Sequence, residues 1–206
     1  DEHGLKIQRT ANDKGVAPQT HCDEISDIFI QNWKDWDISY DKFVRTSSNK
    51  HETIVNEFYS RVKKSNDIYM GVQKGWYCVG CEEFKDNPDN SSTYKCPIHQ
   101  KPLEWKNEEN LFFRLSKYQS QIEDLIKDPS FIHPIERRNE IINFVSKGLK
   151  DFSISRTNVS WGIEVPDTRN HTFYVWFDAL LGYVSAISQH KSTPYVDLLH
   201  LHNQVK

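Results

Sequence analysis

Apolar side chains fall at Ile25, Ile28, Phe29 and Trp33 within residues 23–36. Spacing of three and four predicts a helix with one apolar stripe, and Asp23 stands where an N-cap belongs. Residues 51–64 repeat the spacing with Ile54, Val55, Phe58, Tyr59 and Val62. The pattern then breaks. From Ile68 to about Trp105, short β-like pieces (IYMGV, GWYC, STYKC) alternate with Gly, Asn, Asp and Pro, the grammar of ribbons and loops. Helical spacing returns over residues 108–127 through Leu111, Phe112, Leu115, Tyr118, Ile122 and Leu125. A further helix is predicted from Pro134, a good first-turn residue, to Gly148, a good terminator. Beyond it, VSWGIEVPDTRNHTFYVWF reads as two alternating strands around a polar turn, followed by a helix from about Asp178 to Gln189. The expected organisation is a mixed α/β body at both ends of the chain with a loop-rich insert between.

Composition narrows the function classes. With 206 residues, 37% hydrophobic and 13% aromatic, the chain can bury a sizeable core in which large rings dominate. A formal net charge of −3 provides no basic field to draw the chain onto nucleic acid, which argues against a stand-alone DNA- or RNA-binding finger. No run of about 18 apolar residues exists, and FYVWFDALLGYVSAI, interrupted by Asp178, reads as core. The opening DEHGLKIQ has no signal or transit character and starts as though in mid-domain, so the chain is expected to be a fragment. Four cysteines in a sequence unlike a disulfide scaffold point to a reducing compartment. Cys22 has no partner at metal spacing and reads as a half-buried free thiol.

The other three cysteines carry chemistry. Cys78, Cys81, Cys96 and His99 form C-x2-C-x14-C-x2-H. Each short gap lets both side chains of a pair reach one ion, and Gly80 permits the sharp turn between the first two. Four N/S ligands saturate tetrahedral Zn²⁺ and leave no position for water, so the expected zinc is structural. A redox C-x-x-C would leave Cys96 and His99 unexplained, and a disulfide would leave one cysteine over.

The ends of the chain resemble a known family. DEHG followed by LKI is similar to the turn that ends an early parallel strand in the class I methionyl-tRNA synthetase catalytic domain. The likeness continues through FVRTSSNKHETIV, GWYCVGCEEF, EENLFFRLSKYQ, RRNEIINFVSKGLKDFSISR, WGIEVP and YVWFDALLGYVSA, covering roughly residues 1–189. It implies a fold that is part of a Rossmann-type α/β catalytic domain with an inserted α+β zinc-knuckle subdomain. Residues 1–10 and 150–206 would belong to the catalytic domain and 11–149 to its connective insertion, the knuckle lying at about 76–99.

The resemblance also implies a reaction. Methionine's carboxylate attacks the α-phosphate of ATP, supplied with Mg²⁺, to give methionyl-adenylate and pyrophosphate; the terminal adenosine of tRNA(Met) then takes the methionyl group. No protein nucleophile is needed, so catalysis rests on orientation and charge stabilisation. Asp1 matches the carboxylate that holds the substrate's α-ammonium, and Arg156 matches a position that would keep Asp1 ionised and aimed. Trp176 and Tyr183 match residues lining the methionine side-chain pocket, where ring edges suit a polarizable sulfur, and Ala179 leaves room for the chain. Leu180 stands where many relatives have Pro and takes no role, and Phe177 and Tyr174 read as core. His3 is placed either near the adenylate or in a structural turn, and Arg45, Thr46, Ser47 and His51 read as packing. The ATP signatures of the family are expected outside these residues, so the chain alone is expected to be inactive. The implied compartment is the cytoplasm, with a mitochondrion or plastid as the variant. The competing reading is a non-catalytic zinc-ribbon module that binds RNA or protein, against which stand the acidic flanks EEFKDNPDN of the knuckle.

Overall fold

The computed structural model describes residues 1–85 and 93–187. Three helices come first: α1 (Leu5–Asp13), α2 (Pro18–Asp35) and α3 (Asn49–Lys64). Pro18 opens α2 because its fixed φ and missing N–H suit a first turn, so the helix starts five residues before the expected site. Asp23 therefore does not cap it; the carboxylate lies inside the helix and pairs with Arg45 at 2.7 Å. The predicted stripe on α2 is largely open to solvent, Ile28 and Phe29 being more than half exposed. On α3 the stripe is core, with Ile54, Val55 and Tyr59 buried, and Ser48 caps the helix by accepting from the His51 N–H at 3.3 Å.

The middle of the chain departs from the sequence reading in a physically instructive way. Residues 68–78 form one strand, β1 (Ile68–Cys78), not a set of short pieces. It pairs antiparallel with β2 (Glu83–Lys85) and along its length with β3 (Glu104–Phe113), from Ile68 opposite Phe113 to Tyr77 opposite Glu104. The glycines that looked like breaks are places of close approach: a Cβ on Gly71 would sit 2.9 Å from the Phe112 ring, and one on Gly75 3.1 Å from Phe84. Residues 108–113, expected as helix, are strand. The alternation in β3 is real but hidden, because its buried positions include the polar Glu108 and Asn110 while Trp105, Asn107 and Glu109 face out.

After a 3-10 turn at Leu115–Tyr118 come α4 (Gln119–Leu125) and α5 (Ile135–Val145). Pro134 immediately precedes α5, and Gly148 follows it with φ of 86°, a left-handed value that suits glycine. Strand β4 (Phe152–Ser153) completes a four-stranded sheet in the order β2-β1-β3-β4. β5 (Ser155–Arg156) and β6 (Thr172–Phe173) form a second, two-stranded sheet. Of the two strands expected within 159–177, only Thr172–Phe173 is regular; the chain turns helical at Val175, giving α6 (Val175–Leu180) and α7 (Gly182–Ile187) with a break at Leu181. The expected helix end at Gln189 lies outside the described residues.

Every strand pair among the described residues is antiparallel. The main core gathers Val55 and Tyr59 from α3, Leu111 from β3, and Ile154, Phe173 and Leu181 from the last third of the chain. A second cluster, Ile126, Val145 and Leu149, holds α4 against α5, and a third surrounds the cysteine knuckle.

Candidate functional site

The first four residues have no regular structure of their own, yet Glu2, His3 and Gly4 are buried. Side chains from distant parts of the sequence hold them. The Glu2 carboxylate accepts from Arg45 Nε at 2.8 Å, from Ser26 Oγ at 2.7 Å and from Ser47 Oγ. Burial alone would raise its pKa, but these donors hold it below the ordinary carboxylate value. Its backbone N–H donates to Thr46 Oγ1 at 2.9 Å, and its carbonyl accepts from Trp161 Nε1 at 2.6 Å and from the Cys22 thiol. His3 Nδ1 meets Asp178 Oδ2 at 2.8 Å, and the His3 ring lies edge-on to Trp161. Asp178 is fully buried on α6, and His51 beside it reaches Ser185 Oγ on α7 at 2.7 Å. Arg45, Thr46 and Ser47, which read as packing, are the clamp that fixes the segment beginning at Asp1, whereas His51 packs beneath α7.

Asp1 then faces a cavity of about 420 Å³ with Trp176, Ala179 and Tyr183, three of the side chains expected with it. Trp176 is 48% and Tyr183 76% exposed, so both rings are free to meet a ligand and are not spent on core packing. Phe177, by contrast, stacks on Phe173 at 5.3 Å and belongs to the core, as expected. Lys42 also lines the cavity, its ammonium donating to the Ala186 carbonyl at 2.9 Å. Arg156 does not join them, which corrects its expected role beside Asp1. It is buried on β5, donates to Ser153 Oγ at 2.6 Å and to the Ser155 carbonyl at 2.7 Å, and lies 3.8 Å from the centroid of the Tyr174 ring. Its charge is committed to this cation–π stack and these oxygens, away from the cavity. Tyr174, expected as plain core, is the ring it stacks on.

At the other end of β1 the ligand atoms of Cys78, Cys81, Cys96 and His99 all lie within 4.8 Å of one another. Cys81 Sγ is 3.6 Å from Cys96 Sγ, and His99 Nδ1 is 3.7, 3.3 and 3.8 Å from the sulfurs of Cys78, Cys81 and Cys96. An ion bound at ~2.3 Å to sulfur and ~2.0–2.1 Å to nitrogen sets tetrahedral edges of about 3.8 Å between sulfurs and about 3.6 Å between sulfur and nitrogen. These four edges are close to those of that tetrahedron. A Cβ at Gly80 would lie 2.7 Å from the His99 ring, so glycine is what admits the fourth ligand. The Cys81 N–H points at Cys78 Sγ at 3.4 Å. Backbone donation from His99 draws the Cys96 thiol down to about 6, while burial and neighbouring thiols push Cys81 up to about 11. Cys22 lies apart, buried and with its thiol raised to about 11 by burial, an inert hydrophobe.

A carboxylate thus faces aromatic walls, on a body that also carries a closed cysteine–histidine knuckle. The family model for the class I tRNA synthetases (M) matches residues 1–102 and 86–197, and the chain belongs to that family. It is 53% identical over 199 residues to the methionine–tRNA ligase of Nostoc sp., covering 96% of this chain and 38% of that protein. The chloroplastic/mitochondrial methionine–tRNA ligase of Arabidopsis thaliana is 51% identical over 92% of this chain and 31% of its own length. Among solved structures, the Mycobacterium tuberculosis methionyl-tRNA synthetase bound by methionyl-adenylate superimposes with a TM-score of 0.83 at 36% identity, over 93% of this chain and 39% of that one. The chain thus spans under two fifths of the relatives it matches, within their catalytic domain. The likeness runs through nearly the whole chain and not the knuckle alone, which favours a synthetase over a separate zinc-ribbon module. No helix among the described residues is long and apolar enough to cross a membrane.

Proposed function

We propose that the chain forms the methionine-binding part of a methionine–tRNA ligase. The observation that carries this is the cavity in which Asp1 meets Trp176, Ala179 and Tyr183, brought from the far end of the sequence. The Asp1 carboxylate holds the substrate's α-ammonium and leaves its carboxylate directed outward. Trp176 and Tyr183 offer ring edges to the thioether, a contact worth ~0.3–1.5 kcal/mol beyond apolar burial, and the small Ala179 leaves space for the chain. A carboxylate oxygen then attacks the α-phosphorus of ATP, presented with Mg²⁺, and pyrophosphate leaves; a ribose hydroxyl of tRNA(Met) next attacks the acyl carbon and AMP leaves. These residues contribute orientation and charge complementarity.

In this reading residues 1–10 and 150–206 belong to the Rossmann-type catalytic domain and 11–149 to its insertion. The shared core of Tyr59, Leu111, Ile154 and Phe173 keeps the two in one packed body. Cys78, Cys81, Cys96 and His99 hold a structural Zn²⁺. The compartment is the cytoplasm, with an organelle as the alternative that the Arabidopsis relative's designation raises. Methionine titration by calorimetry into the full-length polypeptide containing this chain tests the assignment. Trp176→Ala is expected to weaken binding at least tenfold, about 1.4 kcal/mol, and unchanged affinity overturns the placement of the pocket.

A further inference from the structure

Glu82 is the residue immediately after the ligand Cys81, and it has φ of 55° in a knuckle turn where such values are uncommon for a side chain larger than glycine. The surrounding contacts must impose it. Two of those contacts lead away from the knuckle. The Glu82 side chain accepts from the Lys6 N–H at 3.2 Å and also takes the Leu5 N–H, so it caps α1 from outside. Gly4, the residue before α1, lies so close under this carboxylate that any Cβ there would collide with it, and its φ of 106° excludes other residues as well. The Glu82 carbonyl accepts from the Tyr174 hydroxyl at 2.5 Å, and Tyr174 is the residue on which α6 begins. The same Tyr174 ring is pinned from its face by Arg156.

One residue of the knuckle therefore grips both walls of the cavity, through α1 the segment that starts at Asp1 and through Tyr174 the helix that carries Trp176 and Ala179. We infer that Glu82 is a positioning residue that transmits the shape of the metal knuckle to the spacing between Asp1 and Trp176. It touches neither ligand nor metal. The side chain acts as a hydrogen-bond acceptor at a helix start, a task that a neutral amide oxygen also performs. This inference rests on the methionine-site reading proposed above.

The test uses the full-length polypeptide, measuring zinc per chain and methionine-dependent ATP–pyrophosphate exchange. Glu82→Ala is expected to raise the KM for methionine roughly tenfold, with kcat within about threefold of wild type and zinc content unchanged. Glu82→Gln is expected to restore the wild-type KM. Tyr174→Phe, which removes only the hydroxyl, is expected to raise the KM severalfold and keeps the question open to measurement should Glu82→Ala not fold. An unchanged KM in a folded, zinc-loaded Glu82→Ala protein, or in Tyr174→Phe, overturns the inference, as does failure of Glu82→Gln to rescue. Trp176→Ala in the same assay separates the two readings: if it too leaves the KM unchanged, the methionine site itself is misplaced.

Discussion

Glu2 shows what a single residue can conceal. In the sequence it is one of 29 acidic residues, with nothing to mark it off from a solvated surface acid. In the fold it is ionised and nearly buried, with donors from Ser26, Arg45 and Ser47, and it fixes the backbone next to Asp1. His51 behaves similarly. It is fully buried, and desolvation lowers its pKa from the ordinary 6.5, against the opposing charge of Asp178. The unfolded chain therefore binds a proton more readily than the folded one. The stability this neutral imidazole contributes is present above about pH 6.5 and is lost as the pH falls toward the lower folded value. Urea unfolding of the chain at about pH 7.5 and 5.5 should show wild type losing more stability than His51→Gln over that interval. Equal losses in the two proteins would refute it. Asp1, Trp176, Ala179 and Tyr183 stood out in the sequence by their motifs, and the fold brings them to one cavity. Their supports did not stand out, because a clamp is defined by partners that lie 24 to 175 residues away in sequence, and Arg156, read from its motif alone, is turned to other partners.

At the level of elements, legibility followed how plainly burial was written in hydrophobicity. Helix α3 was evident because its buried face is apolar. Strand β3 was mistaken for a helix because buried Glu108 and Asn110 occupy the positions where apolar residues would have revealed a period of two. Strand β1 looked broken because Gly71 and Gly75 resemble turn residues, although the space above each is filled by a ring. Phe112 in turn stacks on Tyr69 at 5.6 Å between centroids, so it has little freedom to yield. Gly71→Ala is accordingly expected to destabilise the chain by about 1–3 kcal/mol, read as a lower midpoint in thermal unfolding followed by circular dichroism. A midpoint equal to wild type would mean the two rings can part at no cost.

The whole molecule combines two kinds of cohesion. A packed core joins α3, β3 and the last third of the chain, and the knuckle, with only a small cluster of Cys78, Cys96 and Leu103, is expected to draw its cohesion from a bound Zn²⁺. Metal analysis of the purified chain should give one zinc per chain, and removal by a chelator should lower the thermal midpoint while the helical signal of the main core persists below it. Well under one zinc per chain, or a midpoint indifferent to chelation, would exclude the structural metal. The fold class was readable from the ends of the chain and the ligand spacing, whereas the antiparallel ribbon between them had to be seen.

The anchoring of the opening segment has a consequence in time. Glu2 waits for Trp161, and His3 for Asp178, partners 159 and 175 residues downstream. At ribosomal rates of about 5–20 residues per second, that interval is roughly 8 to 35 seconds. During it the segment has Ser26, Arg45, Thr46 and Ser47 to hold Glu2, but not yet Trp161 or Asp178. The knuckle, whose ligands lie within 22 consecutive residues, can close long before. Synthesis thus completes the scaffold first and the cavity last, and a chain halted before α6 would carry a complete set of knuckle side chains beside an open gap.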